Sequence, residues 1–277
     1  MHLFYVPGGG WGHGYRVATY IRQQGLDRVR VIGTNPAIAG LFTPGHFELL
    51  AVDEDSSKAP LQEALRTSLA GLSPEVFYTD TFPMGIMGEL EGLVPESWQC
   101  IHLARRMNWE AYAPVLPAKA IHYARTLAVE PLQAEQLSWL SEHSNTVGHL
   151  LLDYPAPNPD RVSGWLRNLP RPLWLIVHTS NADEVESLLS HAADIARMEE
   201  VSPFYLLISD MDVRLPGPGI QVYDTPACDW FPHADRIFCG GGFNTLQQVR
   251  DFAQKTKALP FPRRFDNQAE RIGRVLG

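Results

Sequence analysis

The sequence predicts an α/β protein of two domains, each built on a parallel β-sheet. Three observations carry this prediction. The first 33 residues read as strand, glycine-rich turn, helix and strand, the unit that builds a parallel sheet, because two parallel strands need a crossover long enough to hold a helix. The same alternation restarts after Pro172. Between the two lies a proline-rich stretch, typical of an ordered linker.

The apolar runs and amphipathic stretches define the elements of each half. In the first domain, residues 1–153, we predict strands at 2–6, 29–33, 47–52, 76–79, 100–103 and 149–152, and helices at 15–24, 60–69 and 131–142. Residues 154–171 form the predicted linker. In the second domain, residues 172–277, we predict strands at 172–177, 204–208, 220–223, 236–239 and 257–259, and helices at 181–196, 244–254 and 267–276.

Composition narrows the class of function. The 277 residues are enough for two domains of ordinary size, and 45% hydrophobic content indicates a globular core. A formal charge of -8 without a long basic run argues against a nucleic-acid partner. The apolar run at the N-terminus is too short for a signal peptide or a membrane span, so we expect a cytoplasmic protein without a transmembrane segment.

The three cysteines are widely spaced and form no CxxC or Cys/His cluster, so we expect neither a disulfide framework nor a zinc site. The acidic run at 53–55 lies in a polar stretch and is interpreted as a solvated loop rather than a metal site.

A turn with five glycines, residues 8–14, follows the first strand. Glycines permit positive φ and close backbone approach, and the helix that follows offers free N–H groups to an anion. No acidic residue ends the second strand, so a nicotinamide cofactor is disfavoured. His13 suits a general base near neutral pH. The alternative is that the glycines only make a tight turn and that His13 caps the helix.

Two further turns follow strands of the second half. Residues 239–245 repeat the strand, glycine turn and helix pattern, with Asn244 or Thr245 able to contact phosphate. In residues 261–268, arginines are able to clamp a diphosphate, and the polar residues after them are able to bind sugar hydroxyls. The alternative for Arg263 and Arg264 is a solvated pair.

Asp80 is expected at the carboxyl end of a strand, where ligands collect in open α/β sheets. The apolar residues that follow it, at 82, 84, 86 and 87, are packed core or else an acceptor- or membrane-facing surface.

Together these motifs resemble the GT-B glycosyltransferase family that includes the bacterial N-acetylglucosaminyl transferase of peptidoglycan synthesis (family 28-like). Its opening GGxxGH turn is matched by Gly8, Gly9, Gly12 and His13. Its ADx₆GxxT segment is matched by Ala234, Asp235, Gly242 and Thr245, and its proline-rich loop with DxQ by Pro260, Pro262, Asp266 and Gln268. The segment from Asp80 to Glu89 also resembles a DxFPxGxxxE pattern of GT-B transferases.

The resemblance implies two Rossmann-like domains facing each other across a cleft, and a metal-independent transfer of a hexosyl or N-acetylhexosaminyl group from a nucleotide-sugar donor, a UDP-sugar, to an unidentified hydroxyl acceptor. No cofactor is implied. His13 and Asp80 are the candidate catalytic residues. The acceptor or phosphate loop is Gly9, Gly10, Trp11 and Gly12. The donor-binding residues are Thr179, Ser180, Asn181, Gly240, Gly241, Gly242, Phe243, Asn244, Thr245, Arg263, Arg264, Asp266, Asn267 and Gln268.

The sequence departs from the family at two points that bear on the donor. No glycine stands in the turn at 178–181, and Gln247 and Gln248 stand where relatives carry a ribose-binding glutamate. The chain also ends soon after Gln268, which suggests a compact or degenerate member. Two alternatives therefore stay open. Residues 10–16 also read as GxGHxxR, similar to nucleotide-sugar hydrolases of the same fold, and a non-catalytic nucleotide- or sugar-binding protein is the third hypothesis.

Overall fold

A computed structural model describes residues 1–50, 57–166, 169–179, 181–224 and 226–277. The acidic run 53–55, the end of the predicted strand 47–52, and Ser180 lie outside these residues. The chain forms two compact units. One comprises Met1–Asp153 with Arg264–Asp266, and the other comprises Tyr154–Arg263 with Asn267–Gly277. None of the helices described is both long enough and apolar enough to cross a membrane.

The first unit alternates strands and helices. Its strands are β1 His2–Val6, β2 Val29–Gly33, β3 Phe47–Leu49, β4 Val76–Asp80, β5 Cys100–Ala104, β6 Arg125–Ala128 and β7 Val147–His149. Its helices are α1 Trp11–Gln24, α2 Lys58–Leu69, α3 Trp109–Tyr112 and α4 Ala134–Glu142, with 3₁₀ turns at Pro36–Leu41 and Ala113–Val115.

All seven strands of the first unit are parallel, in the order β3-β2-β1-β4-β5-β6-β7. Both faces of the sheet are covered. On one face Leu3 and Tyr5 of β1 pack in a buried cluster with the apolar side of α2, and on the other Phe4 stacks on Tyr78 and meets Tyr20 of α1. Burial on both faces explains why the strands read as continuous apolar runs. The order reverses between β1 and β4.

The second unit is a smaller version of the same architecture. Its strands are β8 Leu173–Val177, β9 Phe204–Ile208, β10 Gly219–Val222, β11 Arg236–Gly240 and β12 Thr256–Leu259. Its helices are α5 Ser163–Leu166, α6 Ala182–Met198, α7 Phe243–Val249 and α8 Gln268–Leu276, with 3₁₀ turns at Pro159–Arg161, Ala227–His233 and Arg250–Lys255. The sheet is parallel in the order β10-β9-β8-β11-β12, so its order reverses between β8 and β11.

Several element boundaries differ from those predicted. Helix α1 begins at Trp11, before the predicted start, and takes in Gly14, whose missing Cβ lets the helix approach Ile38. The last strand of the first sheet is Val147–His149 rather than 149–152, and β6 was not predicted. The predicted helix 244–254 ends as an α-helix at Val249 and continues as a 3₁₀ turn.

Candidate active site

The order of the first sheet creates a crevice between the carboxyl ends of β1 and β4. In open parallel sheets, loops on either side of such a reversal point away from each other and leave room for a ligand. The loop after β1 leads into α1 and carries His13, whereas Asp80 is the last residue of β4. Residues 67 positions apart therefore meet at the reversal point.

His13 and Asp80 form a close hydrogen-bonded pair. Nδ1 of His13 lies 2.7 Å from Oδ2 of Asp80. An ionised carboxylate only accepts hydrogen bonds, so Nδ1 carries the proton and Nε2 of a neutral ring is left with its lone pair. The His13 side chain is 17% exposed, while that of Asp80 is 1% exposed. The imidazole is thus the accessible member of the pair.

Arg16 lies on the same helix as His13 and holds the Asp80 carboxylate. Its Nε donates to Oδ1 of Asp80 and its Nη2 to Oδ2, both at 2.6 Å, and the side chain is 2% exposed. Its Nη2 also lies 3.3 Å from Nδ1 of His13. Since both of those groups are donors, this contact places a positive charge beside the ring rather than adding a hydrogen bond.

The charges fix the protonation states of the pair. Burial alone would raise the pKa of Asp80, but the Arg16 guanidinium and the hydrogen bonds from His13 and Arg16 outweigh it and hold that pKa well below its usual range. The pKa of His13 is lowered, first by burial and then by the charges of Arg16 and Arg105, against the opposing effect of Asp80. At neutral pH the site therefore holds an anionic carboxylate and a neutral imidazole.

The residue after Asp80 is backbone-strained. Thr81 has φ of 62°, a conformation that costs a β-branched residue roughly 1–3 kcal/mol. The strain brings its Oγ1 to 2.5 Å from Nη2 of Arg16. Phe82, the next residue, stacks on the His13 ring at a centroid distance of 5.7 Å. Thr81 thereby helps to hold Arg16 beside Asp80, and Phe82 helps to hold the His13 ring.

A buried scaffold holds the loop that follows. Both oxygens of Glu89 accept backbone N–H groups, from Ile86 at 3.0 Å and Met87 at 2.7 Å, and Oε1 also accepts the Tyr5 hydroxyl at 2.6 Å. Gly85 has φ of +83° and no room for a Cβ, which would meet Glu89 at 2.2 Å. Phe82 and Met84 are core residues, Ile86 is half-buried and Met87 is exposed.

The glycine turn after β1 has one constrained member. Gly8 has φ of +112°, and a Cβ there would meet Nε2 of His13 at 3.2 Å. Gly9 accepts a hydrogen bond from the side chain of Asn35, and Gly10 is the N-cap of α1. Trp11 and Gly12 form its first turn together with His13.

Residues 264–266 belong to the first unit by their contacts. Asp266 pairs with Arg105 at 3.0 Å, and both side chains are nearly buried. The Phe265 ring packs edge-on against Phe82 and Tyr112. The candidate sugar-binding Asp266 is therefore engaged with an arginine that acts electrostatically on His13.

An open cavity of about 650 Å³ lies beside the loops that follow β5 and β6. Its walls include Arg106, Asn108, Trp109, Gln133 and Glu135. Apolar, hydrogen-bonding and charged groups are thus combined in one depression.

In the second unit, the glycine turn after β11 is braced by Gln268. The Gln268 side-chain oxygen accepts N–H groups from Gly241 at 3.1 Å and Phe261 at 2.9 Å. A Cβ on Gly241 would meet the Gln268 side chain at 2.8 Å. Gln268 is buried, so its amide joins the turn to α8.

Most of the remaining candidate donor residues begin or follow elements of the second unit, whereas Arg264 belongs to the first unit. Gly242 is the N-cap of α7, Phe243 is its first residue, and Oδ1 of Asn244 accepts the hydroxyl of Tyr154 at 2.7 Å. Thr245 is half-buried in the same helix, Thr179 follows β8, Asn181 is the N-cap of α6, Asn267 is the N-cap of α8, and Arg264 lies over the ring of Phe265.

A second histidine cluster lies at the reversal point of the second sheet. Nε2 of His178 lies 2.6 Å from Oε2 of Glu184, and Arg263 donates to both oxygens of Glu184 at 2.5 and 2.7 Å. His178, Glu184 and Arg263 are 12%, 14% and 36% exposed. Burial lowers the pKa of His178, and Glu184 opposes this effect. Burial alone would raise the pKa of Glu184, but Arg263 and His178 lower it.

Sequence reasoning assigned no role to Glu184, and it reached Arg16 only through the GxGHxxR pattern and His178 only as part of the turn at 178–181. One signal was present. His13 and Arg16 are three residues apart, which places them on the same face of a helix. Arg105, His178 and Glu184 become neighbours of the predicted residues only through the order of the strands.

No protein-family model matches the chain, and no curated protein sequence matches it. Solved structures do. The glycotransferase of kitacinnamycin is 16% identical, with 98% of this chain and 84% of that chain covered and a TM-score of 0.59. UDP-N-acetylglucosamine 2-epimerase from Rickettsia bellii is 10% identical, with 100% and 86% covered and a TM-score of 0.59.

Phytolacca americana UGT2, solved with UDP-2fluoro-glucose and pterostilbene, is 13% identical, with 98% and 82% covered and a TM-score of 0.58. At these identities the likeness concerns the fold. The chain has the GT-B fold of two Rossmann-like domains, so the predicted fold class is confirmed. Membership of the family 28-like group stays a prediction.

Proposed function

We propose that this protein is a metal-independent glycosyltransferase that moves a hexosyl or N-acetylhexosaminyl group from a UDP-sugar to a hydroxyl acceptor. The observation that carries the proposal is the His13–Asp80 pair, fixed by Arg16 at the strand reversal of a fold that glycosyltransferases share. A neutral imidazole on a partly exposed side chain, held in one orientation, is the group that such a transfer needs to activate a hydroxyl.

In the proposed reaction, Nε2 of His13 takes the proton of the acceptor hydroxyl while its oxygen attacks the anomeric carbon. The bond from that carbon to the diphosphate breaks, and the nucleoside diphosphate leaves with the electron pair. The ionised Asp80 stabilises the imidazolium that forms and keeps the ring in one tautomer. Asp80 is therefore a positioning residue, because both of its oxygens are bound by Arg16 and its pKa is too low for a base.

The second unit is the proposed donor-binding unit. Its glycine turn at 240–242 leads directly into α7, and Arg263 supplies positive charge of the kind that a diphosphate requires. The first unit is the proposed acceptor-binding unit, with the cavity beside Trp109 as the place for the acceptor. This division assigns the base and the leaving group to different units.

Hydrolysis of a nucleotide sugar is the second candidate. An activated water is a substrate for the same Nε2 lone pair, and one of the matched structures is a nucleotide-sugar epimerase rather than a transferase. The two reactions differ only in which hydroxyl attacks. A transferase excludes water, so its donor is consumed slowly until an acceptor is present.

The test is a panel of nucleotide sugars incubated with the purified protein, with and without acceptor extracts, and analysed by mass spectrometry. We expect slow release of free sugar that acceptor accelerates, with transfer to a new product. Rapid release without acceptor, at roughly 1–10³ per second, assigns the hydrolase instead. Ligand-induced thermal stabilisation without turnover assigns a binding protein.

A further inference from the structure

The second unit holds a cluster of His178, Glu184 and Arg263, of which Arg263 alone was given a role in the chemistry described above. It lies beside the glycine turn of the second unit. A Cβ on Gly240 would meet Cε1 of His178 at 3.0 Å and Nδ1 at 3.1 Å, so the imidazole fills the space beside Gly240. Because Nε2 faces Glu184, Nδ1 is the nitrogen nearer the turn.

Arg263 is the exchangeable member of the cluster. It lies on the loop after β12 and is the most exposed of the three side chains. Its two nitrogens hold both oxygens of Glu184, the geometry in which a guanidinium also holds a phosphate. The Glu184 carboxylate thus occupies the face of the guanidinium that a phosphate would use.

Whether His178 is neutral or protonated depends on the position of the Arg263 charge. The charged groups acting on the ring within the described residues are Glu184 from α6 and Arg263 from the loop after β12. β11 contributes Gly240, which carries no side chain, and Phe261 contributes an aromatic ring. Transfer of Arg263 to a ligand phosphate removes a positive charge that disfavours the imidazolium and adds an anion that favours it.

We propose that a nucleoside diphosphate bound by the second unit takes Arg263 from Glu184 and that His178 takes up a proton as it binds. The inference rests on the proposed function of the second unit. One proton from solvent adds to the lone pair on Nδ1, while the Nε2 proton stays in its hydrogen bond to Glu184. The imidazolium then replaces Arg263 as the cationic partner of Glu184, and Nδ1–H faces the phosphate. No covalent bond between heavy atoms is made or broken.

The experiment is calorimetric titration of the full-length protein with UDP at pH 7 in buffers of different ionisation enthalpy. A plot of the observed binding enthalpy against the buffer enthalpy gives the number of protons taken up. We expect uptake of a measurable fraction of a proton, up to about one per nucleotide, and an affinity that weakens as the pH rises. Wild-type protein alone gives this result, so it does not depend on the folding of a variant.

The assignment to His178 is tested with His178→Asn, and His191→Asn is the matched control, because His191 lies on the same helix as Glu184 but packs edge-on against Phe238. His178→Asn should abolish the proton uptake, and His191→Asn should leave it unchanged. UDP binding without proton uptake, or uptake that persists in His178→Asn, overturns this inference and leaves the proposed function in place. No binding of UDP or of any other common nucleoside diphosphate overturns both.

Discussion

Each unit brings a histidine, a carboxylate and an arginine together where its strand order reverses, but the two clusters differ in how firmly the arginine is held. Arg16 comes from the helix that carries His13 and is 2% exposed, whereas Arg263 comes from a loop and is 36% exposed. The first carboxylate ends a strand in the core, and the second lies in the first turn of a helix. The same three groups thus form a closed cluster in one unit and an open cluster in the other.

The difference teaches what each cluster is suited to do. Because Arg16 is enclosed, Asp80 stays ionised and the orientation of His13 is constant, as a general base requires. Because Arg263 is accessible, the open cluster is able to exchange its internal carboxylate for an external anion. A fixed cluster suits chemistry, and an exchangeable cluster suits binding.

The largest expected effect is on catalysis, and it distinguishes the role of His13 from that of His178. His13→Ala should lower turnover about 10²–10⁴-fold, the range for loss of a general base, and should leave UDP affinity nearly unchanged. Steady-state rates and calorimetric affinities measure the two quantities. His149→Ala is the control, since His149 is an exposed histidine of the same unit. Full activity in His13→Ala would remove the chemical role from the closed cluster.

The second prediction compares the two carboxylates by stability. Asp80→Asn leaves the buried Arg16 charge without its anion and should lower the free energy of unfolding by about 3–5 kcal/mol. Glu184→Gln leaves an arginine that solvent reaches, so it should cost no more than about 1 kcal/mol. Urea unfolding of both variants beside the wild type gives the two values. Equal losses would contradict the distinction between a closed and an open cluster.

The third prediction uses a buried histidine under the closed cluster. Because the Thr79 hydroxyl donates to Tyr123, its oxygen accepts a hydrogen bond from Nδ1 of His102 at 2.8 Å. Nε2 of His102 has no hydrogen-bond partner among the described residues. Burial lowers its pKa from 6.5 to about 4. The unfolded chain therefore takes up this proton first as the pH falls. The contribution of His102 to the free energy of unfolding is fully present above pH 6.5. It is lost as the pH falls from 6.5 to about 4, by roughly 3 kcal/mol.

This pH dependence is measured by urea unfolding at several pH values in that window. His102→Asn should flatten the curve, whereas His122→Asn, an exposed histidine of the same unit, should not. An unchanged slope in His102→Asn would show that other groups cause the acid sensitivity. Asp80 contributes in the same direction only at much lower pH, because its folded-state pKa lies far below its usual range.

The sequence was sufficient for the fold class because burial on both faces of each sheet leaves a local pattern of apolar runs separated by glycine turns. His13 and Asp80 were chosen as candidates from the sequence because one lies just after the first predicted strand and the other was expected at the end of another, and their catalytic roles stay a prediction. Their contact was not predictable in the same way, because it depends on β1 and β4 being neighbours in a sheet. The pairing of Asp266 with Arg105 is another such case, since the sequence grouped Asp266 with the donor loop.

Helix boundaries and the short strands were harder to predict. Residues 125–128 form a strand of four residues, too short to show a period, and 250–255 continue a helical pattern although the hydrogen bonding changes to 3₁₀. The roles of the donor residues stay predictions. Gln268 illustrates the difficulty, because the residue that the family pattern assigns to a sugar has its amide oxygen bound to two backbone N–H groups.

The smallest expected effect concerns the glycines that touch the two histidines. A methyl group at Gly8 would meet Nε2 of His13 at 3.2 Å in a backbone conformation with φ of +112°, and one at Gly240 would meet Cε1 of His178 at 3.0 Å. Each substitution should displace its own histidine. Gly8→Ala should therefore lower turnover by about tenfold with little change in UDP affinity, and should cost about 1–2 kcal/mol of stability through the positive φ.

Gly240→Ala should instead weaken UDP binding and reduce its proton uptake. Gly40→Ala is the matched control, because nothing lies within 4 Å of its Cβ position and it is outside both clusters. If Gly8→Ala weakened UDP binding as much as Gly240→Ala, the two clusters would share one role, and the assignment of chemistry to one and nucleotide binding to the other would be wrong.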